Sequence, residues 1–252
     1  MIEKKLNDTI KWLEFNLLQG IPNLKHGVFL RHGGISPIPY SGLNVGLHTG
    51  DDIKTVIYNR SLIENIVQSK LSIYLEQLHG INIIPIDKTN AQESLQGDGL
   101  ITEQNNIALV IQHADCQAAI FYDPVNHVIA NIHCGWKGNV QNIYAKTIEK
   151  MGKIYGSLPQ NLLVCISPSL GPEASEFINY KREFPEYLWK YQVKPFYFDL
   201  WEASKQQLMD SGVLPEHIEI AQLCTYSDVH NFYSYRRDKV TGRHATVVML
   251  KK

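Results

Sequence analysis

IALVIQHADCQAAIFYDPVNHVIANIHCGWKG, residues 107–138, holds three short apolar runs separated by polar breaks. Residues 107–111, 118–122 and 128–132 have the length and composition of strands. Asp123-Pro124-Val125-Asn126 between the last two is turn chemistry, which makes them a hairpin. Beyond Gly138-Asn139 the period changes. Val140, Ile143, Tyr144, Ile148, Met151 and Tyr155 recur at three- and four-residue intervals, which predicts a helix whose first amides lie near His133.

The same pattern extends in both directions. Strands are predicted over 71–75, 81–86, 162–166, 218–221 and 245–250. A helix opens at Asp51-Asp52 and carries Ile53, Val56, Ile57, Ile63, Ile66 and Val67; another spans 199–209, capped by Asp199 and ended by Gly212. Strands grouped together, with helices in separate blocks, indicate an α+β fold with a mixed, largely antiparallel sheet. No repeat, low-complexity tract or linker divides the chain, so one domain over residues 1–252 is expected.

Apolar content of 44%, charged content of 19% and a formal net charge of -1 describe an ordinary globular protein with no pull toward nucleic acid or membrane. The first sixteen residues lack the apolar core of a signal peptide, and no stretch approaches the roughly 18–20 apolar residues of a membrane span, so cytoplasmic residence is the expectation. Four irregularly spaced cysteines, at 116, 134, 165 and 224, argue against a disulfide scaffold.

His79, Cys116 and His133 are the candidates for chemistry. They lie in Gln77-Leu78-His79-Gly80, Ala114-Asp115-Cys116 and His133-Cys134-Gly135-Trp136-Lys137-Gly138, and the last two segments follow apolar strands. Three N/S ligands from separate elements match a zinc site with a fourth position free for water or substrate, yet these gaps fit no short fixed-spacing zinc pattern, and buried His or Cys residues are common in cores. Metal, nucleophile and packing readings all stay open on the residues alone. The clusters His32-Gly33-Gly34-Ile35-Ser36-Pro37, Gln96-Gly97-Asp98-Gly99 and Ser167-Pro168-Ser169-Leu170-Gly171-Pro172 read as tight turns. Arg31, Tyr235-Arg236-Arg237 and Arg243 supply cations for an anionic substrate or a solvated surface.

Taken in order, Arg31-His32-Gly33-Gly34-Ile35-Ser36, Leu43-Asn44-Val45-Gly46-Leu47-His48, Gln77-Leu78-His79-Gly80, Gly97-Asp98-Gly99-Leu100-Ile101-Thr102, Ala114-Asp115-Cys116, the His133–Gly138 segment, Cys224-Thr225 and Tyr235-Arg236-Arg237 with Thr241-Gly242-Arg243 resemble the YfiH family. These laccase-domain proteins are described as multifunctional purine nucleoside phosphorylases and earlier as polyphenol oxidases. The resemblance covers nearly the whole chain and implies a layered α/β/β/α-type domain. It further implies zinc held by a catalytic trio of His79, Cys116 and His133, with Arg31, Asn44 and His48 as substrate contacts. The substrates it implies are adenosine, inosine and methylthioadenosine with phosphate, with adenosine deamination as a further activity. Two departures stand out: Gln117-Ala118 where relatives commonly place a proline two residues after the cysteine, and Cys134-Gly135-Trp136-Lys137-Gly138 for Ala-Gly-Trp-Arg-Gly. Lys137 keeps the charge but loses the planar fork of an arginine.

Zinc with an open position lowers the pKa of bound water toward about 7, which suits deamination, but no Pro-Cys-x-x-Cys segment is present, so a zinc deaminase of the nucleobase type is excluded. None of the ten histidines is followed two positions later by another, against a multicopper oxidase; a single copper on the same three ligands stays possible in principle. Cys116 as a nucleophile beside a histidine base, cleaving an amide such as a cell-wall precursor, is the runner-up. A non-catalytic metal- or nucleotide-binding module is the remaining alternative.

Overall fold

The computed structural model describes residues 1–6, 9–87, 89–91 and 95–252. In chain order it holds β1 (Ile2–Leu6), β2 (Ile10–Glu14), β3 (Leu24–Phe29), α1 (Ile53–Val67), β4 (Leu71–Glu76), β5 (Ile83–Pro85), β6 (Leu95–Gln96), β7 (Gly99–Thr102), β8 (Ile107–His113), β9 (Gln117–Asp123), β10 (Val128–Cys134), α2 (Trp136–Gln141), α3 (Ile143–Tyr155), β11 (Leu163–Ile166), α4 (Tyr180–Glu183), β12 (Gln192–Lys194), β13 (Tyr197–Phe198), α5 (Leu200–Asp210), β14 (Ile218–Ile220), α6 (Tyr235–Asp238) and β15 (His244–Leu250).

Two large sheets result, ordered β1-β2-β3-β15-β8-β4-β6 and β14-β11-β9-β10-β7-β5, and β12 pairs with β13 in a separate two-stranded ribbon. Most neighbours run antiparallel, with parallel pairs at β4/β8, β4/β6, β5/β7 and β11/β14. Alternation along the strands explains the stacking. Leu109 and Ile111 of β8 face Ala118, Ile120 and Ile129 of the other sheet in one buried cluster, while Ala108 and Val110 turn outward onto Ile63 and Val67 of α1. Ala119, Phe121, Ala130 and Ile132 face the opposite way, onto Ile143, Ile148 and Met151 of α3 and Leu208 of α5. The order of layers is therefore helix, sheet, sheet, helix, the α+β layering expected. Each fully buried Leu, Ile or Phe in these clusters stabilises the stack by about 1.5–3 kcal/mol. Asn131 fastens the two sheets, its amide donating to Leu109 O at 2.9 Å and Thr246 O at 2.8 Å across the gap.

Several elements depart from the sequence expectation. The run at 81–86 pairs only over Ile83–Pro85, because the Asn82 carbonyl turns aside to accept from Asp98 N and Gly99 N. The single helix expected after Gly138 starts earlier, at Trp136, and breaks at Asn142, whose left-handed backbone ends α2 while its side chain accepts from Ala145 N to cap α3. The opening strands β1 to β3 were not predicted: β1 is a two-sided edge strand with three of its five residues charged, and so shows no alternation. Asp199 caps α5 as expected. All four cysteines are unpaired. Among the described residues no helix is long and apolar enough to cross a membrane.

Candidate metal centre

Three strand ends converge at one end of the sandwich. His79 follows β4 of one sheet, Cys116 occupies the crossing from β8 to β9, and His133 stands at the end of β10 opposite Ala118. Their ligand atoms all lie within 4.8 Å of one another, the one such grouping found among the described residues. The two imidazoles meet edge to face with centroids 4.7 Å apart. Ligands of a tetrahedral zinc stand about 3.5 Å apart, given bonds of about 2.0–2.3 Å, so closure on an ion needs movements on the order of an ångström.

Asp98 organises the centre. Its Oδ1 is 2.9 Å from His133 Nδ1 and accepts from His79 N at 2.8 Å, while Oδ2 accepts from Gly80 N at 2.7 Å. With Nδ1–H pointed at the carboxylate, Nε2 is the nitrogen His133 turns toward the site, and it would ligate a metal on giving up its own proton. Burial alone would raise the Asp98 carboxyl; the bonds from His133, Gly80 and His79 outweigh it and hold it below the ordinary value.

Burial likewise opposes ionisation of Cys116, but the charge and hydrogen bonds of His133 and His79 prevail and hold the thiol at about 6. His133 is the reciprocal case: burial pushes it down, and Cys116 with Asp98 brings it up to about 9. A thiolate at neutral pH is what a metal ligand or a nucleophile requires. Both His79 (φ +60°) and Asp115 (φ +86°) have left-handed backbones, uncommon for residues other than glycine, so the loops carrying the ligands hold local strain. Gly135 leaves the space between them: a Cβ there would sit 3.0 Å from Cys116 Sγ and 3.2 Å from His79 Cδ2.

The centre opens into a cavity of about 640 Å³ that His79, Cys116 and Gly135 share with Trp136, Phe177 and Tyr235. Trp136 packs edge-on against Phe177 and at a tilt against Phe184 in an aromatic cluster, and it also lines the cavity, so it serves packing and cavity wall together. Cys134 faces away from its neighbour His133, toward Gly138 and Ile143, and burial pushes its thiol up; it packs and does not ligate. Asp115 spends both oxygens on Thr225 Oγ1 and Arg236 N, an anchoring role.

The three substrate contacts implied by resemblance do not come together here. Asn44 is wholly buried, its amide donating to Thr49 and Asp51 and its oxygen accepting from Gly46 N and Arg243 N. Arg31 lies over the Tyr233 ring and donates to Val229 O. His48 is exposed in a turn. None of them lines the cavity. Asp98 was visible in the sequence only as part of a Gly-Asp-Gly turn; an acid bracketed by glycines just ahead of a buried strand was the available signal. Phe177 carried none.

A family model described as "Multi-copper polyphenol oxidoreductase laccase" matches residues 25–251. A protein of Bacteroides thetaiotaomicron named purine nucleoside phosphorylase is 31% identical over 96% of this chain and 97% of its own length, and Escherichia coli "Purine nucleoside phosphorylase YfiH" is 30% identical over 87% and 91%. The chain belongs to the YfiH/YlmD family. Solved structures agree: Bacillus licheniformis YfiH superposes with a TM-score of 0.88 at 27% identity over 99% of both chains, and YlmD from Geobacillus stearothermophilus with 0.88 at 26% over 100% and 99%. Within this family member the His79, Cys116 and His133 donors gather at one point.

Proposed function

We propose that this chain is a purine nucleoside phosphorylase acting at a metal centre held by His79, Cys116 and His133, with adenosine, inosine and methylthioadenosine as substrates. The observation that carries the reading is the convergence of three N/S ligand atoms, one a thiol held low, at the floor of a cavity with aromatic walls. Relatives bearing the name purine nucleoside phosphorylase over nearly the whole chain support it.

In phosphorolysis a phosphate oxygen forms a bond to C1′ of the ribose as the C1′–N9 bond breaks; the electron pair stays on the base, which takes up a proton and leaves, giving ribose 1-phosphate. His79, Cys116 and His133 would hold a zinc ion, which would supply fixed positive charge and Lewis acidity for this exchange, and the same donors would suit a single copper. The chain's own residues do the positioning. Asp98 fixes the His133 tautomer and the His79 backbone, so neither ligand has to be ordered at the moment of reaction. Trp136 and Phe177 give the base an apolar wall and displace water from its faces. Adenosine deamination belongs to the same reading as a side activity of the centre.

One arrangement favours a second reading. Cys116, His133 and Asp98 stand in the order nucleophile, base and orienting carboxylate, as a cysteine amidase needs. Metal content by mass spectrometry, with chromatographic assays of adenosine, inosine and methylthioadenosine with and without phosphate, separates the two. Near-stoichiometric zinc and phosphate-dependent release of base support phosphorolysis. Metal-free protein inert to every nucleoside overturns it in favour of the amidase.

A further inference from the structure

We infer that the phosphate subsite lies on the Tyr235–Lys239 segment, where Arg236 and Lys239 bind the anion at the cavity wall facing Cys116. The inference rests on the phosphorolysis reading and gives its second substrate a place. Of the arginines near the C-terminus, Arg237 is consumed internally: it pairs with Asp238 at 2.8 Å and donates to Thr225 O, Tyr226 O and Phe232 O. Arg236 and Lys239 differ. Both line the cavity, and neither has a carboxylate within ion-pair reach among the described residues.

Arg236 is held at both ends but not neutralised. Its backbone N–H donates to Asp115 Oδ2 at 2.6 Å, one Nη donates to the Glu176 backbone carbonyl at 2.7 Å, and the guanidinium lies 5.6 Å from the centroid of Phe177. Nε and the second Nη keep free donors for a planar two-point contact with phosphate. Asp115 is tied by both oxygens and cannot swing onto the arginine; Glu176 and Glu183 also line the cavity, and neither forms an ion pair with Arg236 or Lys239 among the described residues. Lys239 stands 5.5 Å from the Tyr235 ring centroid, and on the same ring Arg243, partly buried, stands at 5.8 Å with only the Thr241 and Gly242 carbonyls as hydrogen-bond acceptors. Two cations thus stand against the Tyr235 ring and a third against Phe177, none of them with a carboxylate in ion-pair reach among the described residues. The two that line the cavity, Arg236 and Lys239, present unpaired positive charge that an anion stabilises. Arg31, the substrate contact that the resemblance implies, is not on this wall.

The test is calorimetric titration of inorganic phosphate into the zinc-loaded whole protein, alone and with free hypoxanthine, a pair that cannot react. Saturable binding weakened about tenfold or more in both Arg236→Gln and Lys239→Gln is expected, the loss of one charge-assisted hydrogen bond each. Lys239 is exposed, so its variant keeps the fold even if Arg236→Gln does not. Unchanged binding in both variants, loss of binding only in Arg31→Gln, or no binding by the unaltered protein overturns the subsite. Binding that depends on both residues in a protein that cleaves no nucleoside leaves the anion site standing while the phosphorolysis reading fails. Phosphorolysis with an unchanged phosphate KM in both variants does the reverse.

Discussion

Asp98 Oδ1 lies 2.9 Å from His133 Nδ1 and also accepts the His79 backbone N–H, so one carboxylate fixes both histidines of the centre. The consequence is measurable apart from turnover. Asp98→Asn keeps the size and one acceptor oxygen but removes the negative charge that makes His133 a stronger donor to a metal. Zinc affinity, measured by competition with a chelating dye, is expected to fall about 10–100-fold, as for other partners of metal-bound histidines. Unaltered affinity would remove Asp98 from the account of the site.

The three ligands differ in what their loss does to the fold. His79→Ala, Cys116→Ala and His133→Ala are each expected to lower zinc content and nucleoside turnover. Only His133 is deeply buried against a buried acid, with 3% and 1% of their side chains exposed. Removing it takes away the only side-chain partner of the buried Asp98 carboxylate among the described residues and leaves it to the His79 and Gly80 N–H groups, a cost of about 1–3 kcal/mol. Thermal melts of metal-free protein should therefore rank His133→Ala well below His79→Ala, whose ring is exposed. Equal melting temperatures would contradict the ordering, and retained turnover in all three would sink the site.

The layers were legible because β8, β9 and β10 each bury both faces and α3 has a clear apolar stripe, signals that local sequence carries. The edge strand β1 was not legible: its pairing depends on β2 alone and asks little of its side chains. At the site, the ligands stood out through residue type and family resemblance, whereas their convergence depends on how two sheets stack, which no spacing along the chain reports. The fate of the polar residues was hidden for the same reason. Asn44, implied as a substrate contact by the resemblance, and Asp115, the neighbour of Cys116, take hydrogen bonds from Arg243 and Arg236, more than 120 positions away.

His244 makes stability depend on pH. Its Nε2 accepts from Tyr233 N at 3.0 Å and its Nδ1 faces the His113 carbonyl at 3.2 Å, so a second ring proton would point at an N–H. Burial, with Arg31 and Arg243 adding to it, holds its pKa down at about 3. An unfolded chain takes up this proton near pH 6.5, at about the ordinary histidine value, and the folded chain does not until far lower. The stabilisation is thus complete above about pH 6.5 and is lost as pH falls toward 3, with a slope of up to about 1.4 kcal/mol per unit. Urea unfolding at a series of pH values should show the decline, and His244→Gln should flatten it. An identical slope in the variant would assign the effect to other groups.

Cys116 should stand apart from the other cysteines in reactivity. Its thiol is held at about 6, while burial pushes Cys134 and Cys165 up. In zinc-free protein, iodoacetamide labelling of the Cys116 peptide should reach half its maximal rate near pH 6, and zinc should protect it. A midpoint at the ordinary thiol value of about 8.5 would mean that His133 and His79 do not hold the thiolate.

Gly135→Ala isolates the metal centre from the rest of the fold. At φ -78° and ψ 179° the backbone at this position is extended and suits alanine, so the substitution carries no conformational strain of its own. The added methyl instead presses on Cys116 Sγ and His79 Cδ2, at 3.0 and 3.2 Å, and each must yield by a few tenths of an ångström. Both are ligands from different strand ends, so the shift separates donors that have to close on one ion. Zinc affinity is expected to drop about tenfold, at the lower end of what disturbing a ligand's support costs, with the metal-free melting temperature nearly unchanged. A variant that binds zinc as tightly as the unaltered protein would show that the loops carrying His79 and Cys116 adjust freely, against the strain held in their left-handed backbones.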